Sequence, residues 1–322
     1  METLDLLTKV FGRWGFSLQR VCPELAIAGS PDRAMGRELL AAEDGRKYVL
    51  ERLPLEAKES RGRQAQTLQG LARGGLEGIA PWLSPRPGEF GVEEEGFFWQ
   101  LRHWIPGEPL PRESYAQDEW RGRGAAQFLL ELRRVSQEQG EALPAMQTTP
   151  FRLGHYIEHL MEHFQRLMPA LVKDMSPMVE ELKPFAEYEH AARTAFCHGD
   201  FHPGNILWKT NGIHGVIDWE FCGPKIPAYD LANLLGCLGV DDPANLTGPM
   251  ALALVQTLQE QEYLSPEDWH FLPDLIAALR FAWMREWVAR KDREMMIQEL
   301  DFLWLVLDNR ELLRARYGAK AP

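Results

Sequence analysis

The stretch FCHGDFHPGNILW, residues 196–208, sets two histidines, an aspartate and an asparagine between apolar flanks. A second stretch, GVIDWEFCG at 215–223, brings Asp218 and Glu220 after a short apolar run. Asp200 can accept a proton from a substrate hydroxyl. Asn205 offers a side-chain carbonyl to a cation, Asp218 a hard carboxylate and Glu220 a second one. Magnesium takes one or two carboxylates together with substrate phosphates and keeps several waters. Phosphoryl transfer asks the protein for in-line positioning, neutralisation of phosphate charge and a group that orients the attacking hydroxyl. A base and an asparagine on one loop, with a carboxylate after the next strand, supply that set.

His198, Asp200 and Asn205 reproduce H-x-D-x-x-x-x-N, the spacing of the protein-kinase catalytic loop. Gly199 stands where kinases carry arginine, and Asp218 opens DWE in place of DFG. CHGDFHPGNILW followed by GVIDWEFCGPKIPAYDLANLL resembles the aminoglycoside phosphotransferase and choline kinase superfamily. The resemblance is tight over 196–236 and looser elsewhere. It implies an α+β, two-lobed protein-kinase-like fold and ATP- or GTP-dependent phosphorylation of a small molecule's hydroxyl with Mg2+. It makes Asp200 the catalytic base, with His198 bracing its loop. Asn205 and Asp218 become metal ligands, assisted by Glu220. Asp230 would hold the loop from the next helix. QLRHWIPGEPL resembles the hinge between lobes, with backbone groups near His103, Trp104 and Ile105 holding the adenine edge.

The rest of the chain fits this organisation. METLDLLTKVFGRW carries Leu4, Leu7 and Phe11 at helical spacing. FSLQRVCPELAIAG reads as a strand broken by Pro23. GRELLAAEDGRKYVLERL reads as a hairpin turning at Asp44-Gly45, the strongest short hairpin signal. A polar helix over about 57–72 ends at RGG. Residues 79–105 predict two strands around SPRPGEFG, with EEE at 93–95 as an exposed turn. Helices fill about 116–195, and from Tyr229 onward the chain is helical to a long last helix, EMMIQELDFLWLVLDNRELLRARYG. The expected domains are a small antiparallel, nucleotide-binding lobe over 1–104 and a helical lobe over 105–322 with the catalytic loop and substrate pocket.

The front lobe departs from the pattern. The superfamily places Lys or Arg on the third strand, against the α/β-phosphates, and a Glu on the next helix. Alignment on KYVLERL puts Glu51 and Gln64 at those positions. A carboxylate facing a triphosphate costs roughly 4 kcal/mol at an effective dielectric of about 20. Three resolutions are open: a one-residue register shift that turns Arg52 inward, replacement by Lys47 from the same strand face, or a degenerate phosphate site. The loop IAGSPDRAMGREL offers only Gly29 and Gly36, with Ser30 as a candidate nucleotide contact. No G-x-x-x-x-G-K-[ST] motif occurs, which excludes a Walker-type site.

Composition bounds the alternatives. The 322 residues are 45% hydrophobic, enough for a full core, and the net charge of −12 argues against a general nucleic-acid binder. No apolar run reaches membrane-span length. The N-terminus lacks a signal-peptide core. Four scattered cysteines without a CxxC pair suit reduced thiols in a cytoplasmic protein. Most of the eleven tryptophans are expected in the core, with Trp104 the candidate for stacking. Two rival functions remain: a non-catalytic nucleotide- or protein-binding module of the same fold, and a zinc hydrolase using His198, Asp200 and His202.

Overall fold

The computed structural model describes residues 2–29, 34–210 and 212–318. The chain divides into two compact units. The first collects Met1–Leu110, Arg134–Thr148 and Gly204–Cys222; the second collects Pro111–Arg133, Thr149–Pro203 and Gly223–Pro322. The segment with Asn205 and Asp218 therefore belongs with the front of the chain, although the helical part surrounds it in sequence.

The first unit is built on an antiparallel sheet of five strands: β1 (Leu18–Val21), β2 (Gly36–Ala42), β3 (Lys47–Leu53), β4 (Val92–Glu94) and β5 (Phe97–His103), in the order β1-β2-β3-β5-β4. Asp44-Gly45 makes the β2–β3 turn. Asp44 Oδ1 accepts from Arg46 N at 2.9 Å, and Gly45 takes φ +81°. The resulting register pairs Arg37 with Glu51, Glu51 with Gln100 and Val49 with Arg102.

Alternation along the strands then sorts side chains to two faces. Leu40, Tyr48, Leu50, Trp99 and Leu101 pack on helix α1 (Glu2–Gly12) through its Leu7, Val10 and Phe11. Leu4, expected on that buried stripe, is exposed, and Val10 takes its place. The opposite face carries Leu39, Ala41 and Val49. It also carries Glu51, whose neighbours define the site below. Helix α2 (Lys58–Arg73) follows β3.

Between 79 and 91 the expected strand shrinks to an isolated bridge, Trp82 with Arg102. Pro81, next to Trp82, cannot donate to a ladder, which limits pairing there. Glu93 and Glu94 lie in β4, so the turn falls later, at Glu95 and Gly96, both with positive φ. A hairpin of Ile206–Lys209 and Gly212–Val216 completes the unit.

The second unit is helical except for one strand pair, Ala195–Cys197 with Gly223–Lys225. Its central helix, Leu272–Arg290, is buried on all sides through Phe281 and packs on the helices Tyr229–Asp241 and Arg293–Asp308. The long last helix breaks at Asn309 into Arg293–Asp308 and Arg310–Arg316. Asn309 leaves helical geometry at φ −104°, ψ 14°.

Candidate active site

The loop after strand Ala195–Cys197 is clamped through its backbone. Asp230, in the first turn of the Tyr229–Asp241 helix, accepts from His198 N at 2.7 Å and from Gly199 N at 2.8 Å. Gly199 has φ +85°, a conformation a side chain would resist. That explains glycine where protein kinases carry arginine. His198 is fully buried and its Nδ1 accepts from Asp200 N at 3.1 Å, which fixes the backbone of the candidate base. Phe201 stacks on Phe128 at 5.7 Å and anchors the loop from below. Asp200 is 7% exposed, with His202 Nε2 at 3.8 Å from its Oδ2. His202 lies edge-to-face on Trp283. Burial raises Asp230 to about 6, opposed by the Gly199 and His198 amides.

The candidate metal ligands sit in the first unit. Asn205 is buried, and its backbone carbonyl oxygen accepts from Ile217 N at 3.0 Å, which ties it to the backbone beside Asp218. Asp218 adopts φ +62°, a left-handed conformation that aspartate tolerates better than most residues. Trp219 locks that turn: it is buried and donates from Nε1 to Val216 O at 2.9 Å. It is thus a structural tryptophan. Gly29, at φ +96°, passes so close that an added Cβ would lie 2.6 Å from Asp218 Oδ2. Glu220 pairs with Arg61 of α2 at 3.2 Å, and Arg61 also donates to Gln64 Oε1 at 3.3 Å. Among the described residues, no three His, Cys, Asp or Glu side chains converge on a metal position. The Asp218 carboxylate and the Asn205 amide are hard oxygen donors, of the kind a cation such as magnesium takes together with phosphate and water.

Asp218 and Glu220 line a small cavity with Glu51, Gln64, Arg37, Arg61, Arg102 and Trp82. Glu51 does face the site, as the strand alignment predicts. Arg52 does not. The register of β3 corrects that expectation: Arg52 falls on the α1 side, its guanidinium 4.9 Å from the Phe97 ring and 5.9 Å from Trp99. Lys47 lies over Trp104 at 5.6 Å, at the far end of β3 from Leu53, and is not in the cavity lining. Ser30 lies outside the described residues.

At the end of β5, the His103 ring packs against Tyr48, centroids 5.0 Å apart and tilted by 32°. Trp104 N donates to Lys47 O at 3.0 Å, and Ile105 packs close to Gly215. The Ile105 N–H has no protein acceptor among the described residues.

The sequence reading missed Arg102. It is 7% exposed, with its guanidinium 3.8 Å from Glu51 Oε1 and 5.7 Å from the Trp82 ring. Burial lowers its pKa, against the opposing fields of Glu51 and Asp218. The signal was present in FFWQLRH, where Gln100 and Arg102 alternate with Trp99 and Leu101.

The model of the phosphotransferase enzyme family matches residues 37–272. This chain belongs to that family. As a phosphotransferase of this kind it is a small-molecule kinase acting on a hydroxyl group. It is 26% identical over 267 residues to a homoserine kinase of Phenylobacterium zucineum, covering 80% of this chain and 78% of that protein. A homoserine kinase of Acidiphilium cryptum is 31% identical over 115 residues, 33% of this chain and 35% of that protein. The phosphotransferase fold is shared with the GDP and kanamycin complex of APH(2")-IIia, at TM-score 0.68 and 15% identity over 96% of this chain and 99% of that one. It is shared also with amicoumacin kinase hAmiN bound to AMP-PNP and Ca2+, at TM-score 0.63 and 14% identity over 91% and 90%. The fold is α+β and protein-kinase-like, with a five-stranded antiparallel sheet and a mainly helical remainder. Among the described residues no helix is long and apolar enough to cross a membrane.

Proposed function

We propose that this phosphotransferase moves the γ-phosphoryl group of ATP or GTP to the hydroxyl of a small molecule, with Mg2+ as the metal and Asp200 as the base. The clamped loop carries the reading. Asp230 and the His198 ring fix the three successive amides of His198, Gly199 and Asp200, so the backbone that carries the Asp200 carboxylate is set before any substrate arrives. Such preorganisation is what phosphoryl transfer needs from a protein that does little covalent work.

In this account Asp200 accepts the proton of the attacking hydroxyl. Asn205 and Asp218 hold the cation, and Glu220, tied to Arg61, supports the turn from the side. The cation would neutralise charge on the phosphates. The open N–H of Ile105 takes the edge of the base. Nucleotides in the neighbouring structures, GDP in one and AMP-PNP with Ca2+ in another, support a nucleotide and a divalent metal here.

The acceptor is an alcohol of small size, and the homoserine kinase relatives make homoserine the first compound to test. Family membership alone does not fix the acceptor. One observation favours the non-catalytic alternative, a binding module: Glu51 faces the cavity where a cation is expected. The test is label transfer from γ-phosphate-labelled ATP or GTP into a panel of alcohols that includes homoserine. A labelled product supports the kinase. Nucleotide binding with no product over the whole panel and no hydrolysis supports the binding module.

A further inference from the structure

Three arginines line the cavity beside Asp218, and their donors are spent differently. Arg61 gives its donors to Glu220 and Gln64. Arg37 gives its donors to Ala28 O at 3.2 Å and Gly29 O at 3.0 Å, and so braces the chain before the glycine loop. The Arg102 guanidinium makes no hydrogen bond among the described residues. Its nearest carboxylate oxygen, on Glu51, is 3.8 Å away, beyond hydrogen-bond distance. A guanidinium carries five N–H donors and cannot be neutralised by deprotonation. A buried charge with unfilled donors is costly, and a protein keeps one where a ligand completes it.

We propose that Arg102, from β5, is the nucleotide-phosphate ligand of this enzyme, and that Glu51 is its positioning partner rather than a sign of a dead site. The inference rests on the nucleotide-dependent reading above. Glu51 sits on β3 opposite Gln100, and Arg102 sits opposite Val49, so the acid and the base occupy one sheet face, diagonal to each other. The Glu51 charge is countered locally, which removes the repulsion that an isolated carboxylate would exert on a triphosphate. Trp82 closes the other side of the guanidinium and restricts it to the plane from which it reaches into the cavity. Planar bidentate donors suit phosphate oxygens. Asp218 lines the same cavity, so one wall offers a cation ligand and another offers a phosphate donor.

The test compares nucleotide with nucleoside on the full chain. Binding of Mg·ADP and adenosine, or of Mg·GDP and guanosine, is measured by calorimetry for wild type and Arg102→Gln. A phosphate contact predicts roughly 10- to 100-fold weaker diphosphate binding, the range for one or two charge-assisted hydrogen bonds. Nucleoside binding should change less than about twofold. If Arg102→Gln unfolds, the double variant E51Q/R102Q, which strands no buried charge, carries the same comparison. The exchanged variant E51K/R102E places a cation on β3 and should recover diphosphate binding lost in Arg102→Glu. Equal losses for diphosphate and nucleoside, or an unchanged diphosphate affinity, overturn the assignment. A wild-type chain that binds neither nucleotide would instead remove the kinase reading on which it rests.

Discussion

Replacing Gly29 with alanine tests whether the glycine loop and Asp218 are fitted to each other. At φ +96° any side chain is strained, at a cost of about 1–2 kcal/mol. The steric effect is more specific. The new Cβ would lie 2.6 Å from Asp218 Oδ2 and 2.8 Å from Oδ1, where ordinary contact begins at 3.4 Å. The Asp218 carboxylate or the loop must therefore move by roughly 0.8 Å, the difference between 3.4 and 2.6 Å. A displacement near 1 Å of a group at the reacting centre costs about 100-fold in rate. Gly45→Ala is the matched control: φ is +81° and nothing lies within 4 Å of its added Cβ. It carries the backbone strain without the collision. The assay is Mg2+-dependent nucleotide binding followed by thermal shift, together with single-turnover label transfer. Gly29→Ala should lose the magnesium-dependent shift and most turnover. Gly45→Ala should lose only stability. If the two variants behave alike, Asp218 and Gly29 are not fitted as described.

Asp230 predicts a pH effect of opposite sign on stability and activity. Burial raises it from 3.8 to about 6, so its neutral form is favoured in the folded chain. Its contribution to stability is fully present below pH 3.8 and is lost as pH rises through about 6, about 3 kcal/mol in all. Turnover should move the other way and fall as pH drops through about 6, because a neutral carboxyl grips the His198 and Gly199 amides less strongly. Asp230→Asn should erase the step near pH 6 in a kcat profile; a step that persists unchanged assigns it to another group. Arg280 and Glu299 form a bidentate ion pair that is almost fully buried. Glu299→Leu alone strands the arginine and should cost about 3–5 kcal/mol in urea unfolding. The double change R280M/E299L should recover most of that loss; if it is as unstable as the single variant, the cost lies in packing rather than charge.

The catalytic loop was legible because its chemistry is local. His198, Asp200 and Asn205 are spaced by the turn they form, and Asp218 follows at the end of the short hairpin that comes next. The β2–β3 hairpin was legible for the same reason, since Asp44-Gly45 dictates its own turn. Arg102 was not, because its role depends on which face of β5 it occupies. That is set by the pairing of Val49 with Arg102 across about fifty intervening residues. The same pairing sends Arg52 to the α1 side, where Phe97 and Trp99 hold it. The strand expected near residue 82 is cut short by Pro81, which has no N–H to give a ladder, and what forms there among the described residues is the Trp82–Arg102 bridge with the Leu83 N to Leu101 O bond beside it. Long helices were easy to place and their ends were not, as the break at Asn309 illustrates.

The most direct test of the account pairs two substitutions in one experiment: label transfer and Mg·nucleotide affinity for Asp200→Asn and Asp218→Ala. Asp200→Asn should bind Mg·nucleotide as the wild type does and lose most turnover, whereas Asp218→Ala should lose the magnesium-dependent affinity itself. Wild-type turnover in Asp200→Asn, or undiminished magnesium-dependent binding in Asp218→Ala, would contradict it.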